Sequence, residues 1–185
     1  IINSLCEAKT SNPLMVLDEI DEMSSDMRGY PASAMLEVLD TEQNSTFRDN
    51  FIEIPVDLSE CIFIATANTT ETIPAPLLDR LEVIYMDSYS DKEKRAIAKN
   101  HLIPKQLTAH GLKPSQCRIT REAINALINN YTRESGVRNL EREIASICRK
   151  CAKIIVTGEK KSITVNDKTV KDLLGAETFE RDTIY

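Results

Sequence analysis

Residues 13–21, PLMVLDEID, constrain this chain more than any other stretch. The apolar run Leu14–Leu17 has the length of a strand and none of the alternation of a half-exposed one. It therefore predicts a strand buried on both faces, as in a parallel sheet. Two carboxylates, Asp18 and Glu19, follow at once and sit at the strand's carboxyl end, where open α/β sheets bind their ligands. One carboxylate there can hold Mg²⁺ through oxygen or bound water, and its neighbour can polarise an attacking water; these are the two acidic tasks of a nucleoside triphosphatase. An acidic strand end that merely meets solvent is the competing reading.

A second run, CIFIATA at 61–67, has the same unalternating character and ends on Asn68. If the two strands are parallel neighbours, Asn68 lies beside Glu19, where an amide can orient both the water and a phosphate oxygen. Asn also leaves strands through left-handed turns with no further role. Residues 73–80, IPAPLLDR, give a rigid turn, a short helix and Arg80, and 81–86 predicts a third strand. Arg80 is either half of a surface ion pair with Asp79 or a fixed planar charge offered to the nucleotide of a neighbouring subunit. Between the strands, Pro31 opens a helix over 32–39. The stretch 51–56 alternates but carries Pro55, which confines it to a sheet edge or a hairpin.

Charge divides the chain. Residues 1–89 hold four Lys/Arg against seventeen Asp/Glu, net −13, and residues 90–185 hold nineteen against twelve, net +7, within a total of −6. Two differently built domains are predicted, with the boundary near 87–90. At 185 residues and 42% hydrophobic the chain fits soluble globular composition. No run approaches the ~18 apolar residues of a membrane span. The absence of an initiator Met predicts a piece of a longer protein. Five scattered cysteines argue against a disulfide framework and for a reducing, cytoplasmic setting, and Cys148-x-x-Cys151 falls inside a predicted helix, which favours packing over zinc.

After residue 90 the pattern turns helical. Ser90 and Glu93 form a capping box, Pro104 predicts a kink or break, and 112–118 reads as a loop. Ala123, Ile124, Leu127 and Ile128 line one helix face. A long helix follows Gly136, then a short strand near 162–166 and a last helix capped by Gly175. Arg138 is the misfit: a cation in the first turn of the long helix, where the macrodipole disfavours it. An ion pair with Glu141 is the ordinary explanation, and an arginine reaching a bound phosphate is the functional one.

In order, these elements resemble an AAA+ ATPase module and are closest in character to the bacterial Lon protease family. NPLMVLDEID (12–21), SDMRG (25–29), LEVLD (36–40), ANT (67–69), IPAPLLDR (73–80), YTRESGVRNLEREI (131–144) and CRK (148–150) carry the resemblance, which runs along essentially the whole chain. It implies an α/β fold: residues 1–88 as the C-terminal part of an AAA+ (P-loop NTPase) parallel-sheet subdomain, and 89–185 as its α-helical lid. It also implies roles: Asp18 for Mg²⁺ and ATP, Glu19 for activating water, and Asn68 and Arg138 for sensing the γ-phosphate. Arg80 would act as an arginine finger in trans. Arg28, Gly29 and Tyr30 would belong to a substrate-contacting pore loop.

The expected whole is an ATP-dependent serine protease whose homo-oligomeric ring, a hexamer by resemblance, draws unfolded or damaged protein into a Ser-Lys chamber. One departure matters. None of the five glycines (29, 111, 136, 158 and 175) is followed by Lys, so the phosphate-cradling P-loop is not in this stretch. By resemblance, the missing strand would lie between 61–67 and 81–86, and both are expected to lack a native neighbour. A DNA-handling AAA+ ATPase, of clamp-loader or branch-migration type, is the alternative that the basic second half permits. Its cations alternate with acids and lack interleaved aromatics, which favours a solvated face over DNA binding.

Overall fold

The two apolar runs pair as parallel strands. In the computed structural model, which describes residues 1–25, 30–48 and 54–179, Leu14–Leu17 (β1) aligns with Ile62–Ala65 (β4), Leu14 opposite Ile62 and Leu17 opposite Ala65. Around them lie the helices Ile2–Ala8 (α1), Tyr30–Leu39 (α2) and Ala75–Leu78 (α3) and a two-residue hairpin of Phe47–Arg48 (β2) with Pro55–Val56 (β3). The hairpin accommodates Pro55 as its proline requires; the remainder of that predicted strand, 51–53, lies outside the described residues. The chain divides into two compact units, Ile1–Tyr85 and Met86–Tyr185.

Two expectations about the first unit need correction. The strands are buried on one face only: Met15 is buried, and Leu17, Phe63 and Ala65 are half-buried and the last three pack against α2, α3 and hairpin side chains. The opposite face, Leu14, Val16, Ile62 and Ile64, is 48–61% exposed. An unalternating apolar run specifies a strand with two apolar faces; whether both are covered depends on other chain, and no described element lies on the second. The predicted third strand over 81–86 is the other difference. Those residues form no ladder, and Val83, Ile84, Tyr85 and Met86 are exposed. A strand exists only by pairing, and among the described residues β4 pairs with β1 alone.

The second unit is built on Arg138–Val156 (α7). Its buried residues Leu140, Ile144, Ile147, Cys148 and Cys151 fall at helical spacing on one stripe. Ile103–Ala109 (α5) and Asp167–Leu174 (α8) pack against α7, and Asp91–Ile97 (α4), Arg121–Ala126 (α6) and a parallel pair of short strands, Cys117–Ile119 (β5) and Ile163–Val165 (β6), complete the unit, with α6, β5 and β6 sharing one buried cluster with α7. Ala123, Ile124, Leu127 and Ile128 are all buried, as their spacing predicts. Ser90 caps α4 in a complete capping box, Thr120 caps α6, and Gly175, at φ 92, ends α8.

Pro104 does not break its helix. The chain widens into a π-helical turn, Ala98–Leu102, and Pro104 follows in the first turn of α5, where a missing N–H is harmless. Cys117–Ile119, whose first two residues fall in the expected loop 112–118, is a strand; three residues are too few for alternation to register, and the pairing with Ile163–Val165 supplies the order. Among the described residues no helix is long and apolar enough to cross a membrane.

Candidate functional site

The parallel register carries the backbone one step past the strands and sets Asp18, Glu19 and Thr66 against one another. The Thr66 N–H donates to Leu17 O (2.9 Å) and the Ile20 N–H to Thr66 O (3.0 Å), so the ladder continues on both sides of the two acids. Between these bonds the Thr66 hydroxyl does two things. It donates to the Asp18 carboxylate at Oδ1 and accepts the Glu19 N–H at 3.0 Å.

Glu19 itself has φ 56, in the left-handed region that a residue with a side chain rarely occupies. Such strain costs on the order of 1–3 kcal/mol and persists only where neighbours over-determine it. Here the neighbours are the Thr66 hydroxyl and the Thr66 carbonyl. The strained turn directs two adjacent carboxylates outward, and Asp18 and Glu19 are both exposed.

Asn68 is set two residues beyond Thr66 by a third acid. The buried Asp21, 9% exposed, accepts the Asn68 N–H at Oδ2 (3.1 Å), and its carbonyl accepts the Thr72 hydroxyl (3.1 Å). Asp18, Glu19 and Asn68 are therefore brought to one end of the sheet, held by Thr66 and Asp21. Neither holder stands out in the sequence, because Asp21 accepts a backbone N–H of Asn68 and Thr66 accepts that of Glu19 while donating to Asp18, and none of these bonds follows from residue type or spacing. Asp21 leaves one legible sign: an acid directly after buried Ile20 is costly there unless it is hydrogen-bonded.

Arg80 is engaged within its own unit. It pairs not with Asp79 but with Asp40 at the end of α2, Nη2 to Oδ2 at 2.9 Å, and its Nη1 donates to Pro76 O at 2.9 Å. The hydrogen bond from Arg80, followed by the Glu42 N–H, holds the Asp40 carboxyl below the usual carboxylate range. A depressed folded-state pKa means that the pair contributes above the unfolded value of about 3.9 and is lost as pH falls through the lower folded value. In an NMR titration of the side-chain carboxyls, Asp40 is expected to show a midpoint below that of an unstructured Asp, and Arg80→Ala is expected to raise it. A midpoint indifferent to Arg80→Ala would remove the pair's claim on Asp40.

In the second unit Arg138 is exposed at the first position of α7. Glu141, its presumed ordinary partner, instead bonds Lys105 (2.7 Å) and Gln106 (2.8 Å). The dipole conflict is relieved from outside the helix, because the Glu134 carboxylate accepts the N–H groups of Asn139 (2.9 Å) and Leu140 (2.8 Å). Tyr30 begins α2, while Arg28 and Gly29 lie outside the described residues. Cys117, Cys148 and Cys151 are buried in the core around α7. Among the described residues no group of three His, Cys, Asp or Glu side chains converges as a metal cage.

The family model for the ATPase family associated with various cellular activities (AAA) matches residues 1–89, and that for the Lon protease AAA+ ATPase lid domain matches 108–171. The Lon protease of Bacillus thuringiensis (strain Al Hakam) is 55% identical over 179 residues, 97% of this chain and 22% of that protein. The Lon protease of Finegoldia magna is 55% identical over 184 residues, 100% of this chain and 24% of that protein. A solved structure of the Bacillus subtilis Lon protease SSD domain is 50% identical, covers 50% of this chain and 97% of that chain, and has a TM-score of 0.43. The chain thus spans less than a quarter of the length of these curated relatives. With an AAA match over its sheet unit, a Lon lid match over its helical unit and this identity along nearly its whole length, the chain belongs to the Lon protease family.

Proposed function

We propose that this chain works inside a longer protein as part of the ATP-driven motor of an ATP-dependent serine protease, with 1–88 as the later part of the α/β subdomain and 89–185 as the lid. The observation that carries this is Glu19: a carboxylate held at φ 56 by Thr66, beside a second carboxylate that the same hydroxyl orients. Strain of this kind clusters at active sites and ligand clamps.

The donor set fits the cofactor. Mg²⁺ prefers oxygen ligands and is commonly held by one or two carboxylates together with substrate phosphates; the exposed Asp18 supplies such an oxygen. A bound ATP–Mg²⁺ would supply the phosphoryl group whose transfer to water drives the motor. Glu19 accepts a proton from the attacking water as it adds, and Asn68 orients that water. Arg138 stabilises the charge that develops on the γ-phosphate.

Arg80 acts on the nucleotide of the next subunit of a ring, a hexamer by analogy, and must first leave Asp40. Arg28 and Gly29, with Tyr30 after them, contact the unfolded or damaged polypeptide being moved. The open sheet face of Leu14, Val16, Ile62 and Ile64 is where further strands and helices of the longer protein pack. The setting is the cytoplasm. The curated relatives reported above, both Lon proteases, do not favour the DNA-handling alternative.

The test is coupling. The full-length protein carrying this chain is expected to degrade a fluorescent unfolded polypeptide with ATP, and to stop when ATP is replaced by a non-hydrolysable analogue. Degradation at the same rate without hydrolysable nucleotide would sink the motor reading.

A further inference from the structure

Lys94 has only 8% of its surface exposed, an unusual position for an ammonium group. Its Nζ donates to the carbonyl oxygen of Glu134, forty residues along the chain, in the loop before α7. A charge this buried is tolerated only when its hydrogen bonds are made, so the position of the 134 peptide and of α4 are tied together. A second tie lies beside it: the Tyr89 N–H donates to Ser135 O at 3.1 Å. Tyr89 immediately precedes Ser90, whose capping box starts α4, and the Lys94 N–H returns to Ser90 O at 2.9 Å. The loop 134–135 is thus held at two consecutive carbonyls by one rigid segment, 89–94.

From the other side, the Glu134 side chain takes up the N–H groups of Asn139 and Leu140, while the N-cap residue Val137 offers no side-chain cap. The start of α7 therefore has its side-chain cap from Glu134, and Glu134 has its place from Lys94. Arg138 is the first residue of that helix and directly precedes the capped Asn139. We propose that Lys94 and Glu134 are positioning residues for Arg138: they fix where α7 begins and hence where the guanidinium points. The inference rests on the reading of Arg138 as the residue that senses nucleotide.

The experiment is a mutant cycle on ATP turnover in the full-length protein, with melting temperatures measured alongside. Arg138→Ala is expected to slow kcat strongly with little change in melting, because its side chain is exposed. Lys94→Met, which keeps length and removes the donor, is expected to lower kcat between about tenfold and a hundredfold with a smaller change in KM, as misplacement of a catalytic contact does. In the Arg138→Ala background it is expected to change kcat no further. Should Lys94→Met not fold, Glu134→Gln serves in its place, since it keeps the shape and weakens the cap.

An equal fall in kcat from Lys94→Met or Glu134→Gln with and without Arg138 would make both residues merely structural and overturn the proposal. Arg138→Ala slow but the other two at wild-type kcat would overturn the positioning while leaving the role of Arg138 standing. Arg138→Ala at wild-type kcat would remove the parent reading, and the positioning with it.

Discussion

Glu19→Gln in the full-length protein is expected to abolish ATP turnover while leaving ATP binding intact. The substitution preserves side-chain length and the backbone bonds of residue 19, because the Thr66 hydroxyl and carbonyl hold main-chain N–H groups and not the Glu19 carboxylate. What is lost is the proton acceptor. A positioned general base contributes roughly 10²–10⁴-fold to such a step, so turnover is expected to fall by at least about a hundredfold. Asp18 is untouched, so ATP–Mg²⁺ affinity measured by equilibrium titration is expected to change little. A variant that hydrolyses at near wild-type rate would show that Glu19 is an ordinary strand-end acid and that its strain has another cause. Thr66→Val makes a complementary case: it leaves both acids but removes the hydroxyl that orients them.

The legible part of the candidate site was the part whose residues are exposed at a strand end. Asp18, Glu19 and Asn68 could be named from two apolar runs because a parallel register leaves the residues after each strand side by side. Thr66 and Asp21 were not legible in the same way: each accepts a backbone N–H, and the Thr66 hydroxyl reaches Asp18 as well, through a left-handed turn at Glu19 that no local propensity for Glu would suggest. Arg80 shows the opposite failure. Its neighbour in sequence, Asp79, suggested an ion pair, but the partner is Asp40, because the short helix α3 turns the guanidinium towards the end of α2.

The fold divides along the same line. Helix α7 was legible to within a turn because its buried stripe recurs at 3.6 residues over nineteen positions. The strand over 81–86 was not, since a strand is a property of a pair and its pattern alone cannot supply the partner. At Arg138 the sequence conflict was real, but its resolution lies four residues upstream. Glu134 is outside the helix and accepts N–H groups five and six residues on rather than pairing with the Arg138 side chain, so i,i+3 and i,i+4 side-chain patterns do not reveal it, and the buried Lys94 that seats it comes from another helix altogether.

These 185 residues by themselves are expected neither to hydrolyse ATP nor to cut protein. Phosphate binding draws on backbone N–H groups presented by glycine-rich loops and helix starts, and no glycine of this chain precedes a lysine as a P-loop requires. Asp18 and Glu19 carry negative charge, so without such a cradle they repel a triphosphate; Mg²⁺ shared with the phosphates offsets that only once the phosphates are already held. Arg138 adds one exposed cation on the other unit, which is too little to replace a ring of oriented donors.

Isothermal titration of the purified chain with ATP and Mg²⁺ is therefore expected to give no saturable heat. Peptidase and phosphate-release assays are expected to stay at background. The fold is a separate matter: α7 and the elements packed on it bury a continuous apolar cluster within the second unit, so circular dichroism should still report helix when binding is absent. Saturable heat at micromolar ATP, or phosphate release that disappears with Glu19→Gln, would show that the acids, Asn68 and their holders bind nucleotide without a glycine cradle, and would move the source of affinity from backbone dipoles to these side chains.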